Sequence, residues 1–253
     1  MCTTCGCTPS NSLKNENHHS HNHHDHHDHH DHHDHEHSKR LIEVEKNLLD
    51  KNNHYADLNR SNMKSMKTAA FNFVSSPGSG KTSLLTSTIN HLKKHYNFAV
   101  IEGDQQTDHD AQRIRETGAQ AVQINTGKGC HLDAHAVGHA LEEIVLDNID
   151  FVMIENVGNL VCPAAFDLGE RAKIVVLSVT EGEDKPLKYP DMFHASSLML
   201  INKLDLLPYV DFNLDQCIEY ARRINPNIEV ICLSAKTEEG MDDWLNWLRK
   251  QRS

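Results

Sequence analysis

Phe71-Asn-Phe-Val-Ser-Ser-Pro-Gly-Ser-Gly-Lys-Thr82 runs from an apolar segment into a loop of small residues and on into a helical pattern. Ala69 to Val74 reads as a buried parallel strand, Ser75 to Gly80 as the loop, and Lys81-Thr82-Ser83 as the start of a helix. Glycines in such a loop let backbone N–H groups turn inward on a phosphate, and the helix N-terminus adds partial positive charge. Pro77, Gly78, Ser79, Gly80, Lys81, Thr82 and Ser83 are therefore the candidate phosphate-binding residues. Lys81 is placed to reach the β- and γ-phosphates, and the Thr82 hydroxyl to ligate Mg²⁺. The P-loop pattern has glycine where this chain has Ser75. An ordinary strand–turn–helix has no need of strand, small-residue loop and Lys-Thr all in register, so a nucleoside triphosphate site is expected.

Composition narrows the setting. The chain has 253 residues and a formal net charge of −11 with histidine neutral. Residues 1–37 hold one lysine and six acids, a balance of −5 that leaves −6 for the remainder. An acidic balance argues against a nucleic-acid or anionic-membrane partner. No apolar run reaches membrane-spanning length, and Met1-Cys-Thr-Thr-Cys5 lacks the apolar region of a signal peptide. Seven cysteines, odd in number and dispersed, fit a reduced cytoplasmic protein that uses thiols as metal ligands rather than staples.

The pattern divides the chain into a Cys/His-rich tail (1–37), a helical linker (38–67) and a nucleotide domain (68–253). Cys2, Cys5 and Cys7 place three thiols within six residues, which chelate a soft or borderline cation at little loop-closure cost. His18 to His37 is mostly His-His-Asp repeated, cannot form a packed core, and is expected to be disordered. Its imidazoles are largely neutral at pH 7 and suit storage of several Ni²⁺, Zn²⁺ or Cu²⁺ ions. From Ser38 to Lys67, Leu41, Val44, Leu48, Tyr55 and Leu58 recur at helical spacing, with Lys51 interrupting the stripe. That spacing predicts a helix docked on the main domain or on a second subunit.

After Thr68, apolar runs alternate with amphipathic stretches: Ala69–Val74, Phe98–Ile101, Ala121–Ile124, Phe151–Ile154, Ile174–Val179, Ser197–Ile201 and Ile228–Leu233. The expected fold is α/β, a mostly parallel sheet with helices on both faces and ligand chemistry at the carboxyl ends of the strands. Asp104, with Asp108 second to it, closes one such strand as a Mg²⁺ carboxylate. Glu155-Asn-Val-Gly158 closes another, and resembles the switch of GTPases in which the glycine N–H senses the γ-phosphate, with Glu in place of the usual Asp. Lys81, Asp104, Glu155 and Gly158 form the candidate catalytic set. Asn159 stands where Ras-like enzymes carry a water-orienting Gln, so unaided hydrolysis is expected to be slow.

Asn202-Lys203-Leu-Asp205 resembles the guanine motif of GTPases, and Ser234-Ala235-Lys236 the accessory guanine loop. The carboxylate of Asp205 accepts from guanine N1–H and the 2-amino group, which adenine does not offer, and GTP is therefore expected over ATP. Cys130-His131 and Cys162-Pro163 belong to no general GTPase pattern. Thiolate and imidazole suit tetrahedral Zn²⁺ or square-planar Ni²⁺. His135 and His139 share a helical face with His131, as further ligands or as a solvated face. Glu183 to Pro190 reads as a Pro-punctuated charged loop, and Trp244, Leu245, Trp247 and Leu248 as core packing on the last helix.

Taken together, these motifs and the amino-terminal Cys-x-x-Cys-Gly-Cys resemble the HypB family of hydrogenase-maturation GTPases over essentially the whole chain. The resemblance implies a SIMIBI-type GTPase that cycles between GTP and GDP and forms a homodimer promoted by nucleotide or metal. It implies a Ni/Zn site from Cys130, His131 and Cys162 near the subunit interface, and a separate nickel site at Cys2, Cys5 and Cys7. The partners it implies are a zinc-containing nickel-binding accessory protein and the [NiFe]-hydrogenase large-subunit precursor. A urease accessory GTPase, a nickel or zinc storage protein with a secondary nucleotide site, and a small-molecule P-loop kinase are the competing readings.

Overall fold

All seven apolar runs form strands: β1 Ala69–Ser75, β2 Phe98–Asp104, β3 Gln120–Asn125, β4 Phe151–Gly158, β5 Ala172–Ser178, β6 Leu198–Asn202 and β7 Glu229–Cys232. The structure is a computed structural model that describes residues 31–104, 109–127, 129–145 and 147–252, with side chains from Glu43 onward except Asp104 and His109. The strands make one parallel sheet in the order β3-β2-β4-β1-β5-β6-β7. The P-loop strand β1 lies between β4 and β5, with Phe73 opposite Glu155 on one side and Ile174 on the other.

Strand alternation sorts the core into two faces. Phe71, Phe73, Phe151, Met153, Ile174 and Leu200 pack with helices α2 (Lys81–Leu92) and α8 (Met241–Lys250). Ala70, Ile101, Val152 and Ile154 face the other way onto α4 (Ala134–Glu143) and the end of α1 (Asp31–Ser65). Val175, Leu177, Met199 and Ile201 continue that second face onto α6 (Pro190–Ala195) and α7 (Leu214–Ile224). Both faces are thus covered, as near-continuous apolar strands require. Trp244, Leu245, Trp247 and Leu248 are buried, and Trp244 Nε1 donates to Thr88 Oγ1 at 2.8 Å. The segment read as a charged loop forms two short helices, α5 (Lys185–Lys188) and α6, each opened by proline in its first turn, where a missing N–H costs nothing. A short helix, α3 (His109–Arg115), follows β2.

Helix α1 spans most of the stretch read as helical and docks through residues outside its apolar stripe. Asp31 is both its first residue and the first residue described, and the stretch between Ser10 and Ser76 holds neither Pro nor Gly to stop a helix. Of its apolar stripe, Val44, Leu48 and Leu58 are exposed, while Tyr55 is half-buried with its ring 4.5 Å from that of His135. The chain divides into a unit ending at Leu49 and a second from Asp50, and the α1 residues that pack within the second unit are Asn52, Ala56, Asn59 and Met63. Asn52 Nδ2 donates to Asp167 O (2.7 Å) and its Oδ1 accepts from Ala134 N (2.8 Å). Asn59 Nδ2 donates to Ala134 O (2.7 Å) and Leu168 O (3.1 Å). Two buried amides therefore latch the helix to the loop before β5 and to the start of α4.

Gly169 makes this fit possible. Its φ is +91°, and a Cβ there would lie 2.6 Å from Ala56 O and 2.9 Å from Arg60 N. Gly169→Ala is expected to destabilise the domain by roughly 2–4 kcal/mol, combining the left-handed backbone penalty with a clash against helix backbone. Urea unfolding measures it, and a loss below about 0.5 kcal/mol, the range of ordinary surface changes, would contradict this account of α1 docking.

Candidate nucleotide and metal site

The carboxyl ends of β1, β2, β4 and β6 open on two adjoining clefts of about 570 and 600 Å³ that share Gly80, Ser83, Arg113 and Lys203. The larger is walled by Pro77 to Ser83, Glu155 and Gly158, the smaller by Asn202, Lys203, Asp205 and Ser234 to Lys236. The predicted phosphate and base residues thus converge on one continuous groove. Gly78 and Gly80 have φ of +74° and +95°, a backbone that turns successive N–H groups to one side.

Ser75, the departure from the P-loop pattern, is the last residue of β1 and keeps a negative φ, so the position does not call for glycine. Its hydroxyl accepts from Lys81 Nζ at 2.6 Å and donates to Ser76 O. Lys81 is buried, and burial pushes its ammonium below the ordinary lysine value against the pull of the nearby Glu155 carboxylate. Burial likewise raises Glu155, opposed by Lys81 and by Thr82, whose hydroxyl donates to Glu155 Oε1 at 2.8 Å. The buried Glu155 Oε2 has no hydrogen-bond partner among the described residues. A carboxylate oxygen left over beside the P-loop threonine suits a hard divalent cation. Asp104 ends β2 with its side chain outside the described residues, and Asp108 lies wholly outside them, as do Cys2, Cys5 and Cys7.

Asn202 ties the loops together. Its Nδ2 donates to Ser79 O (3.0 Å), and its Oδ1 accepts from Lys203 N (2.7 Å) and Ala235 N (3.1 Å). A Cβ on Gly80 would sit 2.6 Å from that Nδ2, so the P-loop glycine is also what lets Asn202 in. Lys203 Nζ donates to Gly78 O at 2.6 Å, laying its stem across the groove, and Ser234 Oγ donates to Asp205 Oδ1 at 2.6 Å.

Arg113 and Asp110 are among the lining residues of this groove that carry no motif. Arg113 on α3 lines both clefts and donates to Ser83 Oγ at 3.1 Å. Asp110 lines the phosphate cleft one turn earlier. Both sit on a seven-residue helix too short to show a pattern, and only the acid–base pair at i, i+3 was there to be noticed.

Cys130, His131 and Cys162 are brought together: one donor atom from each lies within 4.8 Å of the others, although β2 separates the strands they follow. The Cys130 sulfur is 3.5 Å from His131 Nδ1. Burial lowers the His131 pKa below the usual histidine value, which favours the neutral, metal-binding imidazole. His135 and His139 are exposed, with their Nε2 atoms 3.2 Å apart, and stand outside this cluster. No helix among the described residues is long and apolar enough to cross a membrane.

Residues 69–232 match the model of the CobW/HypB/UreG nucleotide-binding domain. The hydrogenase maturation factor HypB of Azotobacter vinelandii is 63% identical over 215 residues, 84% of this chain and 70% of that protein. The chain belongs to the HypB family. Two HypB crystal structures share its fold at a TM-score of 0.76 over 80% of the chain. One, from Archaeoglobus fulgidus, is 37% identical and covered over 99% of its length. The other, from Helicobacter pylori, is 39% identical, covered over 95%, and was solved in complex with nickel. The family assignment makes this a P-loop nucleotide-binding protein and a homologue of hydrogenase maturation factors.

Proposed function

We propose that the chain is a GTP-hydrolysing nickel metallochaperone that assists nickel insertion into the [NiFe]-hydrogenase large-subunit precursor. The observation that carries this reading is the approach of Cys130, His131 and Cys162 donors to within 4.8 Å beyond the ends of β3 and β4, the second of which also bounds the phosphate cleft. In this reading residues 68–253 are the GTPase domain, 38–67 a helical linker, and 1–37 a tail that stores nickel, with Cys2, Cys5 and Cys7 as a separate site. A zinc-containing nickel-binding accessory protein exchanges nickel with it, and a homodimer promoted by nucleotide or metal is the working form in the cytoplasm. Val161, exposed beside Cys162, leaves the cluster open to a partner.

Pro77 to Ser83 would bind the phosphates of GTP or GDP, and Asn202, Lys203, Asp205 and Ser234 to Lys236 the guanine. Thr82, Glu155 and Asp104 would hold Mg²⁺, whose charge neutralises the β- and γ-phosphate oxygens when bound. Lys81 adds a second, buried positive charge at the transferred phosphoryl group. Gly158 presents its N–H to the γ-phosphate side, and with Asn159 in place of a water-orienting Gln turnover is slow. Nickel, as cargo, or zinc occupies the thiolate–imidazole site.

The test is nickel titration of the full chain carrying Cys2→Ser, Cys5→Ser and Cys7→Ser, followed by thiolate-to-nickel absorption. Adding Cys130→Ala is expected to diminish that absorption, with Cys162 left as the cluster's one thiolate, and to weaken nickel binding at this site by more than about tenfold, the scale of losing an outer-shell partner alone. Unchanged spectra would remove nickel from the site.

A further inference from the structure

We propose that Asn159 is a positioning residue whose single side-chain amide fixes both arms of the Cys130/Cys162 site to the γ-phosphate-facing end of β4. It would thereby transmit nucleotide state to metal affinity. The inference rests on the proposed function and goes beyond it by naming the group that does the coupling.

The placement begins with strand alternation. Successive side chains of β4 leave opposite faces of the sheet. Glu155 faces α2, where it meets the Thr82 hydroxyl. Asn156 faces the other way, buried, and its Oδ1 accepts from Leu132 N at 3.2 Å and Val157 N at 3.0 Å, while its Nδ2 donates to Asn72 Oδ1. One strand end thus touches the P-loop threonine on one face and the residue after His131 on the other.

Two residues on, Gly158 is pressed against the P-loop. A Cβ there would lie 3.0 Å from Pro77 N, Cα and Cγ, so the backbone of β4 passes close against that of the phosphate loop at this point. Asn159 follows directly. Its Nδ2 donates to Cys130 O at 3.2 Å, and its Oδ1 accepts from Val161 N at 2.8 Å. The first bond holds the chain that carries Cys130 and His131. The second shapes the turn that delivers Cys162, the next residue. The far side of that turn is pinned separately: Lys173 Nζ donates to Pro163 O (2.8 Å), Ala164 O (3.0 Å) and Phe166 O (3.2 Å), and the Phe166 ring lies 4.0 Å from the His131 ring, centroid to centroid. Lys173 comes from β5 and fixes the turn to the sheet. Asn159 is the group that ties both metal-bearing segments to the residue packed on Pro77.

A γ-phosphate that draws the Gly158 N–H toward it would move Asn159 with it and change the separation of Cys130 and Cys162 by the same hinge. Metal affinity depends steeply on donor placement, so a small displacement is enough for a coupling in the usual range of about 5- to 150-fold.

The full chain with Cys2, Cys5 and Cys7 changed to Ser is titrated with Ni²⁺ in the presence of GDP and of a non-hydrolysable GTP analogue, nickel at the cluster is followed by thiolate-to-nickel absorption, which the histidine tract does not give, and the ratio of the two affinities is read. Asn159→Asp keeps the acceptor for Val161 N and loses the donor to Cys130 O. Asn159→Ala loses both, so a fold defect in one variant leaves the other informative, with thermal unfolding as the check. Expected are a ratio of at least about fivefold in the parent and a ratio within about twofold of one in both variants, with GDP affinity and nickel stoichiometry retained. A parental ratio preserved in the variants overturns the role of Asn159. Loss of nickel binding with either nucleotide also overturns it, because Asn159 would then be scaffold only. A parent that binds no nickel at this site, or binds it equally with both nucleotides, overturns the underlying reading as well, and is distinguished by appearing before any change at Asn159.

Discussion

Lys81→Ala is expected to reduce GTP turnover by at least about 10²-fold, the cost of removing one preorganised charge from a phosphoryl-transfer site. The side chain is buried and held at 2.6 Å by the Ser75 hydroxyl, so it waits in place rather than arriving with substrate. The buried Glu155 carboxylate exerts the largest charge effect on it, and the two oppose each other's burial shifts. Removing the ammonium therefore has two consequences that must be measured apart. Turnover and affinity for the GTP analogue should fall, with GDP affinity falling less because one phosphate contact is absent from the start. Glu155 loses its counter-charge and is driven further toward the neutral carboxyl, so the apo protein should lose stability as well. Lys81→Arg keeps the charge but brings a wider, planar group into a space filled by an ammonium, and is expected to recover little. Turnover within tenfold of the parent in Lys81→Ala would sink the assignment. Hydrogenase maturation that survives Lys81→Ala but is abolished by deleting residues 18–37 would favour the storage reading.

The nucleotide groove was legible because its parts are local. A strand, a loop of fixed length and a Lys-Thr pair specify a phosphate site within twelve residues, and Asn202 to Asp205 and Ser234 to Lys236 each close a strand of the same sheet. The meeting of Cys130 with Cys162 followed from parallel strands placing their carboxyl ends together. Helix α1 was less legible. Its apolar stripe suggested one face, while two asparagines with partners 75 to 115 residues away dock another. An amide latch leaves no periodic apolar trace, since its energy comes from pairing buried backbone groups rather than from removing hydrocarbon from water. Arg113 was unreadable for a related reason: an arginine on a short polar helix resembles a solvated surface residue until the fold turns it toward Ser83. In the sequence Asn159 stands out only as a residue that is not the Gln of Ras-like enzymes. Its hydrogen bonds to both metal-bearing segments are a tertiary fact.

Asp205→Asn should lower GTP affinity by about 10²-fold or more without raising ATP affinity, and should allow a xanthine nucleotide to bind in its place. One oxygen of the Asp205 carboxylate is fixed by the Ser234 hydroxyl at 2.6 Å, which sets the plane of the group. Lys203 is committed to Gly78 O and Asn202 to Ser79 O and Ala235 N, so the neighbouring polar groups are already in use by the loops. Discrimination then falls to the carboxylate, an acceptor facing two guanine donors. An amide at this position turns an NH₂ toward one of those donors and leaves two N–H groups opposed, an unpaired arrangement that costs more than the lost bond. Xanthine carries a carbonyl where guanine carries its 2-amino group, and so pairs with the amide. Asp205→Ala removes the acceptor without supplying a donor, and should lose GTP with no such recovery. Equilibrium competition among GTP, ATP and XTP on the three proteins measures all of this. Equal affinity of the parent for ATP and GTP, or undiminished GTP binding by Asp205→Asn, would mean that Asp205 does not read the base.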